Sequence, residues 1–327
     1  MADWPIIGHE WAVDLLAQAV TTARLSHAYL FTGPARVGKT TLARTFAQAI
    51  LCERQTGSAC GQCRTCQRIA QGRYPDLQLI AAEKNTIQIE QVRDLQTDAP
   101  LSPLEGRYKV FIIREIERAT APAANALLKT LEEPPPHVIL LLTSHRRDLV
   151  LPTVLSRCQI VGLRPARIEQ VRAVLAARGV APERAELLAR LSGGRVGWAL
   201  DAEAHPEVEQ DRNRHIDDLL ALTAEGYVGR LGRAEAFSRQ TNVIDEMLGQ
   251  WATWWRDVLL IQRGIPEGIV NLDRRAQLTQ QAGLYGPEQV ERALDDLVQT
   301  ARRVKSNVNA RLALDVLMIR LPKPVVM

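Results

Sequence analysis

At 327 residues the chain has room for two domains or three small ones, and a single small module is excluded. Its 41 basic and 37 acidic residues leave a formal charge of +4, which neither predicts nor forbids a nucleic-acid partner. Hydrophobic residues at 46% and charged residues at 24% exclude the disordered and collagenous classes and predict a buried core.

No apolar run approaches the ~20 residues of a membrane span, so no membrane partner is expected. Residues 1–8 lack the basic start, apolar stretch and cleavage site of a signal peptide, which makes the cytoplasm the expected compartment.

Short apolar runs at 28–32, 77–80, 108–113, 138–143 and 159–163 alternate with helical patterns. Most are continuous rather than alternating, the pattern of strands covered on both faces, which predicts a five-stranded parallel sheet in a doubly wound α/β domain. Residues 102–106 read as a surface loop, and Pro134-Pro135-Pro136 ends the helix before the fourth strand.

Between the first strand and its helix, Gly33-Pro34-Ala35-Arg36-Val37-Gly38-Lys39-Thr40 satisfies G-x-x-x-x-G-K-[ST] at every fixed position, with Thr41 next. The glycines let backbone N–H groups wrap phosphates, Lys39 reaches the β/γ-phosphates, and the Thr40 hydroxyl is placed for Mg²⁺. ATP or ADP with Mg²⁺ is therefore the expected ligand.

Cys52, Cys60, Cys63 and Cys66 follow as C-x7-C-x2-C-x2-C. Four thiolates this close suit tetrahedral Zn²⁺ in a closed structural site. An iron–sulfur cluster and four unliganded thiols are the alternatives.

A P-loop ATPase ordinarily ends a second apolar strand with a metal-holding Asp and a water-orienting Glu. Residues 109–113 are followed instead by Arg114 and Glu115. An Arg repels Mg²⁺ at short range, so slow or absent turnover is expected, with Glu115 left as the water-orienting carboxylate or a poor metal ligand.

Arg157, before the last strand, is either a surface charge or a finger reaching a neighbouring subunit's phosphate, and Cys158 beside it reads as a small core residue.

Beyond residue 163 the strand signal stops. Two short helices at 167–178 and 183–191 flank Gly179, and Gly193-Gly194 breaks the chain before Trp198. From about Val208 the pattern is helical again. Ile244, Met247, Leu248, Trp251, Trp254, Trp255, Val258 and Leu259 form one apolar stripe, read as a core face in preference to a subunit contact.

Residues 26–31 leading into the P-loop, the cysteine insertion, residues 123–135 (AANALLKTLEEPP) and Ser156-Arg157-Cys158 together resemble the bacterial DNA polymerase III clamp-loader ATPases of the AAA+ class. That resemblance implies an AAA+ P-loop domain at 1–163 with a zinc-binding insertion at 52–66, a helical lid at 164–205 and an all-α collar at 206–327.

It implies that Arg157 is a trans arginine finger and that Thr143 or Ser144 is the sensor beside the γ-phosphate. The implied partners are delta and gamma/tau subunits, a sliding clamp and primed DNA, in a replisome associated with the nucleoid.

Within the family the chain resembles a stator-type subunit more than the gamma/tau motor. The reasons are Arg114, the absence of a long C-terminal extension, and the ending at 307–321. A lid sensor Arg is not carried over, because Gly197 or Trp198 stands where one is expected.

Overall fold

A computed structural model describes residues 4–83, 85–239, 241–305 and 309–324. The chain divides into two compact units, the first 1–174 with Ser192–Trp198 and the second Leu175–Leu191 with 199–327.

The first unit runs α1 (Glu10–Thr21), β1 (Ala28–Thr32), α2 (Lys39–Leu51), α3 (Arg64–Ala70), β2 (Leu77–Ile80), α4 (Ile89–Asp98), β3 (Lys109–Ile113), α5 (Ala121–Glu132), β4 (Val138–Ser144), α6 (Pro152–Leu155) and β5 (Gln159–Gly162), and α7 (Ile168–Ala177) begins in it. All pairings are parallel, in the order β2-β3-β4-β1-β5.

Strand geometry sends successive side chains to opposite faces. Tyr29, Phe31, Val110, Ile112, Ile139 and Leu141 therefore join a core with α1 and α2, where the Tyr29 and Phe46 rings meet edge-on at 4.9 Å. Ala28, Leu30, Phe111, Ile113, Leu140 and Leu142 face a second core with α4 and α5.

Most of the strands were expected to be covered on both faces, and β1, β3 and β4 are buried throughout. β2 and β5 are partly exposed. These two are the sheet edges, a property of strand order that an apolar run does not reveal.

The loop at 102–106 is a surface loop with a buried anchor. Asp76 accepts backbone N–H bonds from Leu104, Glu105 and Gly106 at 2.7–2.8 Å.

The second unit is helical. It holds α8 (Pro182–Ser192) up to Leu191 and α9 (Val196–Ala204) from residue 199, then α10 (Pro206–Ala224), α11 (Tyr227–Ser238), α12 (Thr241–Gln262), α13 (Arg275–Leu284), α14 (Pro287–Lys305) and α15 (Ala310–Arg320). Trp251, Trp254 and Trp255 are fully buried in its core with Ile216, Leu314 and Met318, so the apolar stripe of α12 is a core face. Asn307, at the start of the ending read from sequence, lies outside the described residues.

Candidate functional site

The P-loop leaves β1 and enters α2, which begins at Lys39 and so places Lys39, Thr40 and Thr41 in its first turn. Gly33 (φ 143°) and Gly38 (φ 107°) adopt conformations that L side chains avoid, and a Cβ on Gly33 would strike the Leu163 carbonyl. Pro34, Ala35 and Arg36 are exposed, whereas Val37 is buried.

Lys39 is 7% exposed, and its Nζ donates to the carbonyls of Gly33 (2.8 Å) and Pro34 (2.6 Å). Burial pulls its pKa down to about 8 against the opposing pull of Glu117 and Glu115. A cation held next to exposed backbone N–H groups at a helix N-terminus is a phosphate-binding arrangement.

The segment Ser192–Trp198 returns to this loop. The Gly197 N–H donates to the Arg36 carbonyl at 2.9 Å, and a Cβ at residue 197 would lie 2.7 Å from that oxygen. Gly197, one of the two positions where a lid sensor Arg is expected, is thus a glycine used for close backbone approach, and the other, Trp198, is buried.

β4 carries Thr143 and Ser144 beside the end of β1, in register with Phe31 and Thr32, and both are buried. Thr143 Oγ1 accepts the Glu115 N–H at 3.0 Å, and Ser144 Oγ accepts the Arg146 N–H at 3.1 Å. Glu115 sits in the left-handed region (φ 53°), an uncommon place for a non-glycine residue, and its carboxylate pairs with Arg118 at 2.6 Å. Arg114, the residue after β3, has a buried Nε with no hydrogen-bond partner.

Glu117 was not singled out from sequence. It lies in the 3-10 turn Ile116–Arg118, with its side chain 3% exposed. Its Oε1 accepts the His145 N–H (3.0 Å) and pairs with His145 Nδ1 (2.8 Å), while its Oε2 is buried without a partner. Burial pushes its carboxyl pKa up, but the hydrogen bonds from His145 and from its own backbone outweigh this and hold it below the usual range. The available signal was a carboxylate a few residues beyond an apolar strand in a P-loop domain.

His9 was also missed. It is buried against the backbone of Val37, with Nε2 unpartnered.

Arg157 lies apart from these groups, after α6. It donates to the Thr153 carbonyl and Ser156 Oγ and pairs with Glu132 at 2.8 Å. Cys158 packs partly buried against the α4–α5 core, and burial raises its thiol pKa to about 12.

The four remaining cysteines converge, with all sulfurs within 4.8 Å of one another. N–H groups of Cys60, Cys63 and Cys66 point at the sulfurs of Cys52, Cys60 and Cys63 at 3.3–3.4 Å. The Gln62 and Cys63 N–H groups pull the Cys60 thiol down to about 6, whereas burial pushes Cys66 up.

Tetrahedral Zn–S bonds of about 2.3 Å require sulfurs about 3.8 Å apart, so a metal ion fits this cluster with little contraction. Gly57 (φ 84°) packs against α1 and accepts a bond from Trp4 Nε1 at 3.0 Å, tying the cysteine module to the start of the chain.

Comparison with known proteins matches residues 8–167 to the family described as DNA polymerase III, delta subunit, and residues 208–323 to its C-terminal counterpart. The delta' subunit of DNA polymerase III from Pseudomonas aeruginosa is 31% identical over 327 residues, covering 97% of this chain and 98% of that protein. The delta' subunit from Bacillus subtilis is 29% identical over 302 residues, covering 91% and 92%.

The tau subunit from Escherichia coli is 39% identical over 202 residues, covering 60% of this chain and 31% of tau, so the chain spans about a third of that relative. The P-loop after β1, with β4 between β1 and β3, gives the first unit the AAA+ fold. With the match to delta' proteins running the length of the chain, this protein belongs to the delta' family of DNA polymerase III subunits.

Proposed function

We propose that this chain is a stator-type subunit of a DNA polymerase III clamp loader, which binds nucleotide with little or no turnover and completes the ATP site of a neighbour. The observation that carries the stator reading is Arg114 at the end of β3, where a motor holds its metal with Asp.

In this reading the P-loop residues 33–41 hold ATP or ADP with Mg²⁺, with Lys39 on the phosphates and the Thr40 hydroxyl toward the cation. Thr143 and Ser144 sense the γ-phosphate end, and Glu115 orients water in whatever slow hydrolysis occurs. Arg157 leaves Glu132 to reach a neighbouring subunit's phosphate, where it stabilises charge on the transferring phosphoryl group.

Zn²⁺ on Cys52, Cys60, Cys63 and Cys66 is structural, since four thiolates leave no open position. The AAA+ domain at 1–163, lid at 164–205 and collar at 206–327 divide the work. The collar joins a pentameric ring with delta and three gamma/tau subunits that places a sliding clamp on primed DNA, in the cytoplasm at the nucleoid. The absence of any described helix long and apolar enough to cross a membrane is compatible with that setting.

A second reading, a gamma/tau-type motor, is favoured by the intact P-loop and the likeness to tau. Steady-state ATPase of the isolated chain decides between them. Turnover near ~1 per second that disappears in Lys39→Ala would establish the motor. The stator reading predicts negligible turnover alone, entry into a complex with cognate delta and clamp, and loss of the assembled loader's DNA-stimulated ATPase in Arg157→Ala.

A further inference from the structure

The end of β3 poses a problem that the strand itself does not solve. A nucleotide's divalent cation is a hard ion that takes carboxylate, hydroxyl, phosphate and water oxygens, ordinarily with a carboxylate from this strand. Arg114 offers none. Glu115, the next carboxylate, is engaged by Arg118 at 2.6 Å and is 31% exposed.

The backbone then reverses. Glu115 turns through the left-handed region, and the 3-10 turn that follows brings Glu117 back among the strand ends. There His145, just beyond β4, fixes Oε1 through both its N–H and its ring Nδ1. β4 is hydrogen-bonded to β3 on one side and to β1, the strand feeding the P-loop, on the other. Ligands of open parallel sheets sit at these carboxyl ends.

What remains unexplained is Oε2. It belongs to a carboxylate whose side chain is 3% exposed, it is buried, and no hydrogen bond reaches it. Buried charged oxygens are ordinarily satisfied, because leaving one bare costs free energy that nothing returns. His145, which holds this carboxylate, follows β4 directly, and the last residues of β4 pair with the end of β1 that leads into the phosphate loop.

We propose that Glu117 is the carboxylate that serves the divalent cation of a bound nucleotide, taking over the place left by Arg114. The proposal rests on the nucleotide-binding reading of the P-loop. His145 is then a positioning residue that holds Glu117, and Glu115 is left free of the metal.

The test is titration of the full chain with a fluorescent ATP analogue, with and without Mg²⁺, in wild type, Glu117→Gln, Glu115→Gln and Lys39→Ala. The expected result is that Mg²⁺ tightens wild-type binding about tenfold, Glu115→Gln keeps that gain and Glu117→Gln loses it. Metal-free affinity in Glu117→Gln should stay within about twofold of wild type, showing that its loop is intact.

With Mn²⁺ in place of Mg²⁺, the electron paramagnetic resonance spectrum of the ternary complex should change in Glu117→Gln and not in Glu115→Gln. Retention of the full Mg²⁺ gain in Glu117→Gln overturns the proposal, as does its loss in Glu115→Gln alone. Nucleotide binding without any metal gain in wild type also overturns it while leaving the nucleotide reading intact; no binding to wild type overturns both.

Discussion

Charge is buried in opposite ways at Arg230 in the helical unit and at Glu117 in the sheet unit. In the helical unit, Arg230 is fully buried and its guanidinium donates to six backbone carbonyls, those of Leu222, Thr223, Glu225, Met318, Leu321 and Pro322. Those carbonyls lie around the C-terminal ends of α10 and α15, where the last turns of a helix have no partners of their own. Arg212 pairs with the side chains of Asn271 and Asp273, and Asp257 Oδ2 takes three bonds at 2.7–2.8 Å from Val270 and Asn271, while its Oδ1 has only Arg256 at 3.7 Å.

In the sheet unit, Lys39 leans on carbonyls of its own loop, and Glu117 keeps one oxygen bare. Buried charge that closes on its own backbone supports a fold. The bare oxygen of Glu117 lies at the strand ends, where the proposed cation would give it a partner.

This contrast can be broken in several ways. The largest expected effect is Arg230→Met, which keeps much of the apolar bulk but strips several buried carbonyls of their donor. It should cost about 3–5 kcal/mol, read as a lowered denaturation midpoint of the full chain followed through tryptophan fluorescence. A loss under about 1 kcal/mol would remove the assigned role of that residue.

Metal removal should come next. A strong chelator, or Cys63→Ser, should release about one Zn per chain and open the 52–66 segment to protease, while the helical unit keeps its fluorescence. In the metal-free chain, alkylation at pH 7 should reach Cys60 first, since its N–H bonds hold it as thiolate, and Cys66 and Cys158 late. Equal rates would contradict the site.

Gly197→Ala should cost about 1–2 kcal/mol, because its Cβ must push the Arg36 carbonyl away. Nucleotide affinity should fall with it, and an unchanged affinity would detach this contact from the phosphate site.

The smallest effect is in pH. Burial depresses the pKa of Lys39 to about 8 from an unfolded value of 10.5. Below pH 8 it is charged in both states, and the full burial penalty applies. Between about 8 and 10.5 the folded chain releases the proton that the unfolded chain keeps, so the penalty fades and apo stability rises. Phosphate binding must restore the proton, so affinity should weaken above pH 8 by up to about tenfold per unit, with proton uptake measurable by calorimetry in buffers of different ionisation enthalpy. Lys39→Met should flatten that profile.

The P-loop and the cysteine knuckle were legible because their chemistry is local. Glycines at 33 and 38 and sulfurs spaced by two residues act within a single turn, and residue order alone declares them. The sheet was legible from its apolar runs, though strand order was not, so nothing along the chain set β2 and β5 apart as edges.

Glu117 was hidden for a different reason. Its place depends on a left-handed residue before it and on His145 across the sheet, neither of which leaves a pattern along the chain. Arg230 was hidden because an Arg on a helix ordinarily reads as surface charge, and only its tertiary setting supplies the carbonyls. The return of Ser192–Trp198 to the P-loop was hidden by the same dependence on distant contacts.

The strand order also sets a timetable. β1 is bounded by β4 and β5, so while a ribosome makes this chain from its first residue, β1 waits over a hundred positions for its first neighbour. Closing so long a loop is slow, and an unpaired apolar strand is exposed to misassociation in the meantime. The cysteine module emerges soon after β1, with all four sulfurs inside fifteen positions and with Gly57 already able to accept from Trp4. Metal capture would fasten the opening segment and α2 well before the sheet can assemble, making the knuckle a splint for the nascent domain as well as an ornament of the finished one.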